Sequence, residues 1–269
     1  MGTRACHRVR LDTELVRRGL AASRAEAARL VETGGVTVRG APASKAATLV
    51  APDDPVAVTA GPADFASRGG IKLAGALDAL GVGVEGRNCL DAGASTGGFT
   101  DVLLRRGAAR VVAVDVGYGQ LAWPLRTDPR VVTLDRTNVR FLTPTSVPPP
   151  APDLVVADLS FISLTLVLPA LRSVAASDAD FVLLVKPQFE AGRNRVGKGG
   201  VVRDPAVWAE AMRRVVDSGA DLGLGLADAA ASPLPGPAGN VEFFLHLSVG
   251  AGTDADDAIR AAIAEAPIE

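Results

Sequence analysis

The sequence predicts an α/β protein with a doubly wound parallel sheet, preceded by a small α+β module. Three observations lead to this prediction. From residue 88 onward, β-branched runs alternate with helical segments; the first run ends in a glycine-rich turn; and the first fifty residues differ in charge from the rest. With 269 residues the chain exceeds one average domain, so we expect one large and one small domain.

The first fifty residues carry a positive charge that the whole-chain average hides. They hold nine Arg or Lys against four Asp or Glu, a net charge of +5, whereas the remainder carries −7 and the whole chain −2. A local basic bias is typical of nucleic-acid binding, and it is equally compatible with a solvated surface. Charge alone therefore leaves the role of this region open.

Within the basic region, the residue pattern predicts two short helices and then a hairpin. An apolar face defines the first helix, a capping box begins the second, and β-branched runs form the strands. The residues concerned are Leu11, Leu15, Val16, Ser23, Glu26, Val36–Val38 and Val56–Val58.

This region resembles the S4 RNA-binding domain through Arg10-Leu11-Asp12, Leu15–Leu20, Ser23–Ala27 and Gly34–Val38. The resemblance implies an N-terminal module, residues 1–60, whose arginines follow RNA phosphates without recognising bases. The RNA-binding residues that it implies are Arg10, Arg17, Arg18, Arg24 and Arg29.

The larger domain, predicted at 67–269 after a linker at 61–66, alternates strands with helices. Strands joined by helices form a parallel sheet, whose ligands bind beyond the carboxyl ends of the strands. The predicted strands are Asn88–Asp91, Val111–Asp115, Val131–Leu134, Leu154–Asp158, Phe181–Lys186 and a late Val241–Val249, and the helices include Phe99–Arg106 and one that Asp204 caps.

A glycine-rich turn follows the first strand, with the sequence Asp91-Ala92-Gly93-Ala94-Ser95-Thr96-Gly97-Gly98-Phe99. A dinucleotide fold requires Gly-x-Gly-x-x-Gly, and Ser95 stands where the second glycine belongs, so the spacing fails for NAD. The pattern Asp-x-Gly-x-x-x-Gly-Gly instead resembles motif I of class I methyltransferases, which have a Rossmann-like fold. That resemblance implies that Asp91 and Gly93–Phe99 contact S-adenosylmethionine.

Acidic residues end the next two strands. Asp115 is placed to accept hydrogen bonds from ribose hydroxyls, as either nucleotide cofactor requires. Asp135 is the corresponding candidate near the adenine, and it is equally a turn former together with Arg136 and Asn138.

A second glycine-containing segment, Gly192–Lys198, fits the spacing of a phosphate-binding loop. Gly199 stands where the Ser or Thr ligand of magnesium belongs, and no strand precedes the loop, so we do not expect a triphosphate site. We interpret the segment as a basic loop that contacts RNA. The RNA-contacting residues predicted outside the first module are Arg68, Arg193, Arg195 and Lys198.

Four polar residues lie where a structural role alone is hard to justify. Lys72 follows a Gly-Gly pair, Asp158 and Lys186 end the fourth and fifth strands, and Glu242 begins the late strand. Taken singly, each has a structural explanation, such as a lysine that snorkels or an aspartate that caps a turn. Together they resemble the Lys-Asp-Lys-Glu tetrad of the FtsJ-like RNA 2′-O-methyltransferases.

The whole chain resembles the TlyA family, in which an S4 domain precedes that catalytic domain. Besides the motifs above, the resemblance rests on Ser67–Leu73, Ala157–Ser163, Val185–Glu190 and Gly239–Phe243. It implies methylation of cytidine 2′-hydroxyls in 16S ribosomal RNA, 23S ribosomal RNA or both, in assembled subunits. We further expect a monomer that uses no metal ion. Members with a segment ahead of the S4 core form a longer type that acts on both RNAs, and residues 1–9 and the Ala/Asp-rich tail after Gly250 resemble that type. The linker departs from it, because Asp64 stands where the longer type carries a basic-aromatic tetrapeptide linked to cofactor binding.

The chemistry gives these residue types a reason. A ribose 2′-hydroxyl is a weak nucleophile that must lose its proton and be aligned with the methyl donor. A lysine can take that proton only if its pKa lies below the usual value of about 10.4, and burial and a second ammonium both lower it. Lys186 is the predicted base, Lys72 the cation that stabilises the alkoxide, and Asp158 and Glu242 orient the lysines.

Two other classes of protein remain as alternatives. Members of this family often carry a haemolysin name, but the sequence predicts neither a signal peptide nor a membrane span. A non-catalytic ribosome-binding factor is the second alternative, which the intact tetrad and glycine-rich turn disfavour. Cys6 and Cys89 are too few for a disulfide framework, which indicates the cytoplasm, and the separated His7 and His246 do not suggest a metal site.

Overall fold

A computed structural model describes residues 8–21, 23–32, 34–58, 65–192, 195–197 and 199–267, except for the side chains of Arg29 and Glu32. The chain divides into two compact units, Met1–Arg68 and Gly69–Glu269. The sequence predictions that fall outside the described residues concern Cys6, His7, Asp64, Arg193, Lys198 and the side chain of Arg29.

The first unit contains two helices and short antiparallel strands around a small apolar core. Its elements are β1 (Val9–Arg10), α1 (Leu11–Arg17), α2 (Arg24–Glu32), β2 (Val36–Val38), β3 (Ala41–Pro42), β4 (Leu49–Val50) and β5 (Val56–Val58). β2 pairs with β3 and with β5, and β1 pairs with β4. Leu11, Leu15 and Val36 are fully buried, and Ser23 Oγ accepts from the N–H of Glu26, as the predicted capping box requires.

The second unit is built on a sheet that has seven strands in the described part of the chain. They are β6 (Asn88–Ala92), β7 (Arg110–Val114), β8 (Val131–Leu134), β9 (Leu154–Ala157), β10 (Asp180–Val185), β11 (Gly225–Ala231) and β12 (Phe243–Ser248). Their order across the sheet is β11-β12-β10-β9-β6-β7-β8. Strand β10 is buried almost throughout, which fits a central strand with both faces covered.

Helices cover this sheet. From residue 68 onward they are α3 (Arg68–Ala79), α4 (Gly98–Arg105), α5 (Trp123–Arg126), α6 (Leu164–Val174), α7 (Pro187–Glu190), α8 (Pro205–Ala220) and α9 (Ala255–Ala264). Asp204 caps α8 as predicted, because its side chain accepts from the N–H of Ala206. Among the helices of the described ranges, none has both the length and the apolar character that crossing a bilayer requires.

The predicted parallel arrangement holds for five strands but not at one edge of the sheet. Strands β6 to β10 are parallel to one another, but β12 runs antiparallel to both β10 and β11. The physical reason is the connection: residues 232–242 return the chain directly beside β11 without the crossover helix that a parallel pair needs.

The order of the strands reverses at β6. The chain continues to β7 and β8 on one side and returns to β9 and β10 on the other. The carboxyl ends of β6 and β9 therefore border the crevice where an open α/β sheet binds its ligands. The glycine-rich turn follows one of these strands, and Asp158 follows the other.

Candidate active site

The glycine-rich turn passes very close to the loop that follows β9. Gly93 has a φ of +90°, and a Cβ built on it would lie 2.3 Å from the backbone oxygen of Asp158, so only glycine fits here. The N–H groups of Gly93 and Ala94 both donate to the carbonyl of Val114 on β7. Backbone contacts thus fix the shape of the turn at Gly93.

The other residues of the turn are partly exposed and partly buried. Ser95 and Thr96 are exposed, whereas Gly97–Phe99 are buried at the start of α4. The ring of Phe99 stacks on Phe244 with 6.1 Å between the centroids. The Phe99 side chain therefore belongs to the core, and a cofactor contact there would involve its backbone.

Asp91 is completely buried at the end of β6. Thr100 Oγ1 donates to its Oδ2 at 2.6 Å, and its Oδ1 has no hydrogen-bond partner among the described residues. Burial raises the pKa of Asp91 to about 7. A buried acceptor without a donor is unfavourable, so this atom is suited to a partner that a ligand or water supplies.

Carboxylates follow β7 and β8 as predicted, but their surroundings differ. Asp115 accepts from the N–H groups of Ser95 at 2.8 Å and Gly117 at 2.7 Å, which fixes it beside the turn. Its oxygens keep further lone pairs for ribose hydroxyls. Asp135 pairs with Arg126 at 2.8 Å, and this contact lowers the pKa of Asp135. The geometry therefore favours Asp115 as a ligand and gives Asp135 a structural partner.

Lys186 lies directly after β10 and contacts two side chains of the loop after β9. Its Nζ is 2.5 Å from Oδ1 of Asp158 and donates to Oγ of Ser160 at 3.1 Å. The side chain of Lys186 is 11% exposed and that of Asp158 24%. The structure thus brings the two predicted residues together and adds Ser160, which the sequence reasoning missed although it lies in the same motif.

Lys72 on α3 reaches Glu242, the residue before β12. Lys72 Nζ is 2.5 Å from Glu242 Oε2, and both side chains are buried. The second oxygen of Glu242 has no partner among the described residues, and a Cβ on Gly236 would lie 2.5 Å from it. The absence of a side chain at Gly236 therefore leaves room for the Glu242 carboxylate. The sequence alone did not predict this role, because it depends on the path of the loop.

The two ion pairs lie at the same end of the sheet. Val185 of β10 is paired with Phe243 of β12, and Lys186 and Glu242 are the next residues beyond that pair. Opposed residues of antiparallel strands are close neighbours, so the two polar residues extend from adjacent strand ends. The four predicted residues therefore meet at one rim, where each lysine contacts one carboxylate.

A further buried carboxylate fastens the loop that carries Asp158. Glu190, the last residue of α7, accepts from Ser163 Oγ at 2.5 Å and from the N–H of Leu164 at 2.8 Å. Burial raises the pKa of Glu190. Lys186 contacts the start of the loop after β9, and Glu190 contacts its end. The short segment that contains both residues therefore restrains the loop at both ends.

An open groove of about 870 Å³ lies along this loop. Phe161, Phe189, Gln188 and Arg140 are among its lining residues. Phe161 is 90% exposed, and its ring centroid is 5.2 Å from that of Phe189. Exposed aromatic rings are suited to stacking on an unpaired nucleobase.

The predicted RNA-binding arginines whose side chains are described pair largely with acidic residues of their own unit. The ion pairs are Arg10–Asp12, Arg24–Asp12, Arg17–Glu14, Arg18–Glu14 and, in the second unit, Arg195–Glu210. Arg68 is the first residue of α3. These contacts limit how far each arginine can move.

The strand order, the glycine-rich turn beside the reversal of the sheet, and the two lysine–carboxylate pairs at its rim are those of a ligand site at the strand ends of an open α/β sheet. Comparisons with known proteins show that the chain is a methyltransferase. The FtsJ-like methyltransferase family matches residues 65–249, and the S4 domain matches residues 9–56.

Individual relatives narrow the class further. The chain is 55% identical to the 16S/23S rRNA (cytidine-2′-O)-methyltransferase TlyA of Mycobacterium tuberculosis, over 97% of this chain and 99% of the relative. It is 36% identical to Hemolysin A of Brachyspira hyodysenteriae, over 90% and 100%. A Streptococcus thermophilus structure solved under a hemolysin name gives a TM-score of 0.76 at 36% identity, covering 97% of this chain and 96% of that one. The chain belongs to the TlyA family of FtsJ-like methyltransferases, as its motifs predict.

Proposed function

We propose that the protein transfers a methyl group from S-adenosylmethionine to the ribose 2′-hydroxyl of cytidine in 16S or 23S ribosomal RNA, acting on ribosomal subunits in the cytoplasm. The observation that carries this proposal is the pair of lysine–carboxylate contacts at the sheet rim, Lys186–Asp158 and Lys72–Glu242, beside the glycine-rich turn. The name of the M. tuberculosis relative supports the substrate.

The residues around the turn fit the cofactor. The backbone of the turn approaches that of Asp158 at Gly93, Asp115 is fixed beside the turn with lone pairs to spare, and Asp91 Oδ1 is an acceptor without a donor among the described residues. Gly93–Thr96 would hold the methionine and ribose portions, and Asp115 the ribose hydroxyls. When bound, S-adenosylmethionine supplies the methyl group as an electrophile on a positively charged sulfur.

The protein's own residues manage the proton and the charge of the hydroxyl. Lys186 first releases a proton to solvent, its amine then takes the proton of the 2′-hydroxyl, and Asp158 and Ser160 bind the ammonium that forms again. Lys72, held by Glu242, provides a fixed positive charge for the developing oxygen anion. Because both lysines are largely buried, little water competes for these contacts.

The two units divide the work in this proposal. Residues 1–60 bind structured RNA through phosphates, and residues 67–269 catalyse the transfer as part of a monomer. The groove beside Phe161 is large enough for a nucleotide turned out of its helix, whose base would stack on that ring.

A non-catalytic ribosome-binding factor is the competing function, because an S4 domain would serve it equally well. It predicts binding to subunits without methyl transfer. A membrane-damaging activity, which the hemolysin names suggest, predicts release of haemoglobin from erythrocytes by the purified protein.

The decisive experiment incubates the protein and labelled S-adenosylmethionine with isolated 30S and 50S subunits and maps 2′-O-methylation. Lys186→Ala should lower the transfer rate at least about a hundredfold while cofactor affinity, measured by calorimetry, stays within about twofold. Lys186→Arg is the matched control, since a guanidinium keeps the charge but cannot act as a base. Activity in Lys186→Arg would contradict the assigned role, and no transfer by the wild type to either subunit would overturn the enzymatic function.

A further inference from the structure

The first unit contains buried acids beneath exposed arginines. The side chains of Asp12 and Glu14 on α1 are 5% and 0% exposed. The side chains of Arg10, Arg17 and Arg24, which they bind, are 47%, 60% and 61% exposed. The unit therefore presents guanidinium groups to solvent and keeps their carboxylate partners underneath.

Asp12 connects the starts of both helices of the unit. It accepts from Nε of Arg10 at 3.1 Å and from Nη2 of Arg10 at 2.8 Å, a two-point contact. It also accepts from Nη2 of Arg24, the first residue of α2, at 3.0 Å. The contact with Arg10 holds the pKa of Asp12 well below its usual range, so the carboxylate is charged at neutral pH.

Glu14 holds the second pair of arginines. It accepts from Nε of Arg17 at 2.7 Å and from Nε of Arg18 at 2.6 Å. Arg18 also donates to the backbone carbonyls of Pro52 and Asp54, and its side chain is only 21% exposed. The contact with Arg17 lowers the pKa of Glu14 to about 2. Arg18 therefore anchors Glu14 to the fold, and Glu14 in turn orients the exposed Arg17.

We propose that Asp12 and Glu14 are positioning residues for RNA, an inference that rests on the proposed RNA-binding role of this unit. Each carboxylate fixes two arginines before RNA arrives, so that less side-chain freedom is lost on binding. A guanidinium carries five N–H donors, and the outward ones remain suited to the oxygens of a phosphate.

Removing either carboxylate charge has two opposite effects, which makes the proposal testable. A more positive unit should bind RNA more tightly if charge alone matters. Unrestrained arginines should bind it more weakly if their orientation matters. We expect the second effect to prevail.

The test measures binding of the full-length protein to isolated 50S subunits for Asp12→Asn and Glu14→Gln, which preserve side-chain shape. Each should weaken binding about tenfold. Equal or tighter binding by both carboxylate variants would overturn the inference.

Arg17→Ala and Arg24→Ala separate this inference from the function on which it rests. If neither arginine variant weakens binding, the RNA-binding role of the unit is itself wrong. If both weaken it while the carboxylate variants do not, only the positioning role is wrong.

A second measurement needs no buried substitution and therefore does not depend on how the variants fold. Side-chain ¹⁵N relaxation of the RNA-free wild type should give Nε order parameters for Arg10 and Arg17 above about 0.6, the value below which groups are flexible. Values below about 0.6, typical of flexible groups, would contradict preorientation.

Discussion

At Asp91, burial makes the charged carboxylate unfavourable, and the pKa rises from 3.8 to about 7. Between these values the folded protein binds one more proton than the unfolded chain, so this group lowers stability progressively as the pH rises through that window. We expect the unfolding free energy of the ligand-free protein to fall relative to Asp91→Asn from about pH 4 to about pH 7 and to level off above. Denaturant unfolding of the wild type and Asp91→Asn across this pH range measures the difference in unfolding free energy. A difference that does not change with pH would contradict the prediction.

Gly93 combines a left-handed backbone with a contact that leaves no room for a Cβ. Gly93→Ala should therefore lose cofactor affinity and methyl transfer by at least about tenfold, because the new carbon would push against the Asp158 carbonyl. Gly86→Ala is the matched control: its φ is +74°, and nothing lies within 4 Å of its added Cβ. It should lose about 1 kcal/mol of stability and keep its activity, as calorimetry and a transfer assay would show.

Residue chemistry made part of the site predictable. Lys72, Asp158, Lys186 and Glu242 were predicted from their motifs, and the structure joins them in pairs. Gly236 was not predictable, because its importance comes from the space it leaves for a carboxylate six residues later in the chain. Such a contact depends on the path of a loop, which no local pattern encodes.

At the scale of elements, the ends of the buried strands that contain β-branched residues were predicted to within one or two residues. Strand β11 was missed because Gly225–Ala231 contains mainly alanine and no β-branched residue. Helix α9 was missed in a segment rich in Ala and Asp, although Asp254 caps it by accepting from two backbone N–H groups.

The hydrogen bonds from the start of α6 to Glu190, the last residue of α7, provide a test at this scale. Glu190→Ala would leave Ser163 and the N–H of Leu164 without their acceptor and loosen the loop that carries Asp158. We expect single-turnover methyl transfer to slow about tenfold with little change in cofactor affinity, because the loop orients the base.

Glu190→Gln keeps an acceptor oxygen and should recover much of the rate. Asp217→Asn, which removes an exposed acid on α8, serves as the control. A wild-type rate in Glu190→Ala would show that this carboxylate serves stability alone.

For the whole molecule, each unit has an apolar core of its own, one around Leu11 and Leu15 and the other around Phe181 and Phe243. Deleting residues 1–60 should therefore leave cofactor affinity intact, weaken binding to ribosomal subunits and flatten its dependence on salt, because phosphate contacts release counterions. Binding titrations with ribosomal subunits at several salt concentrations measure the slope of log affinity against log salt concentration. An unchanged slope would place the RNA-binding surface elsewhere.

The contact between Gly93 and the backbone of Asp158 has a consequence for redesign and for divergence within the family. The segment proposed to receive the methyl donor and the loop that carries Asp158 meet through backbone atoms at Gly93. Neither can be exchanged alone between relatives with different specificities. A working chimera would have to inherit 91–99 and 158–164 from the same parent, so the two segments should be transplanted as one block.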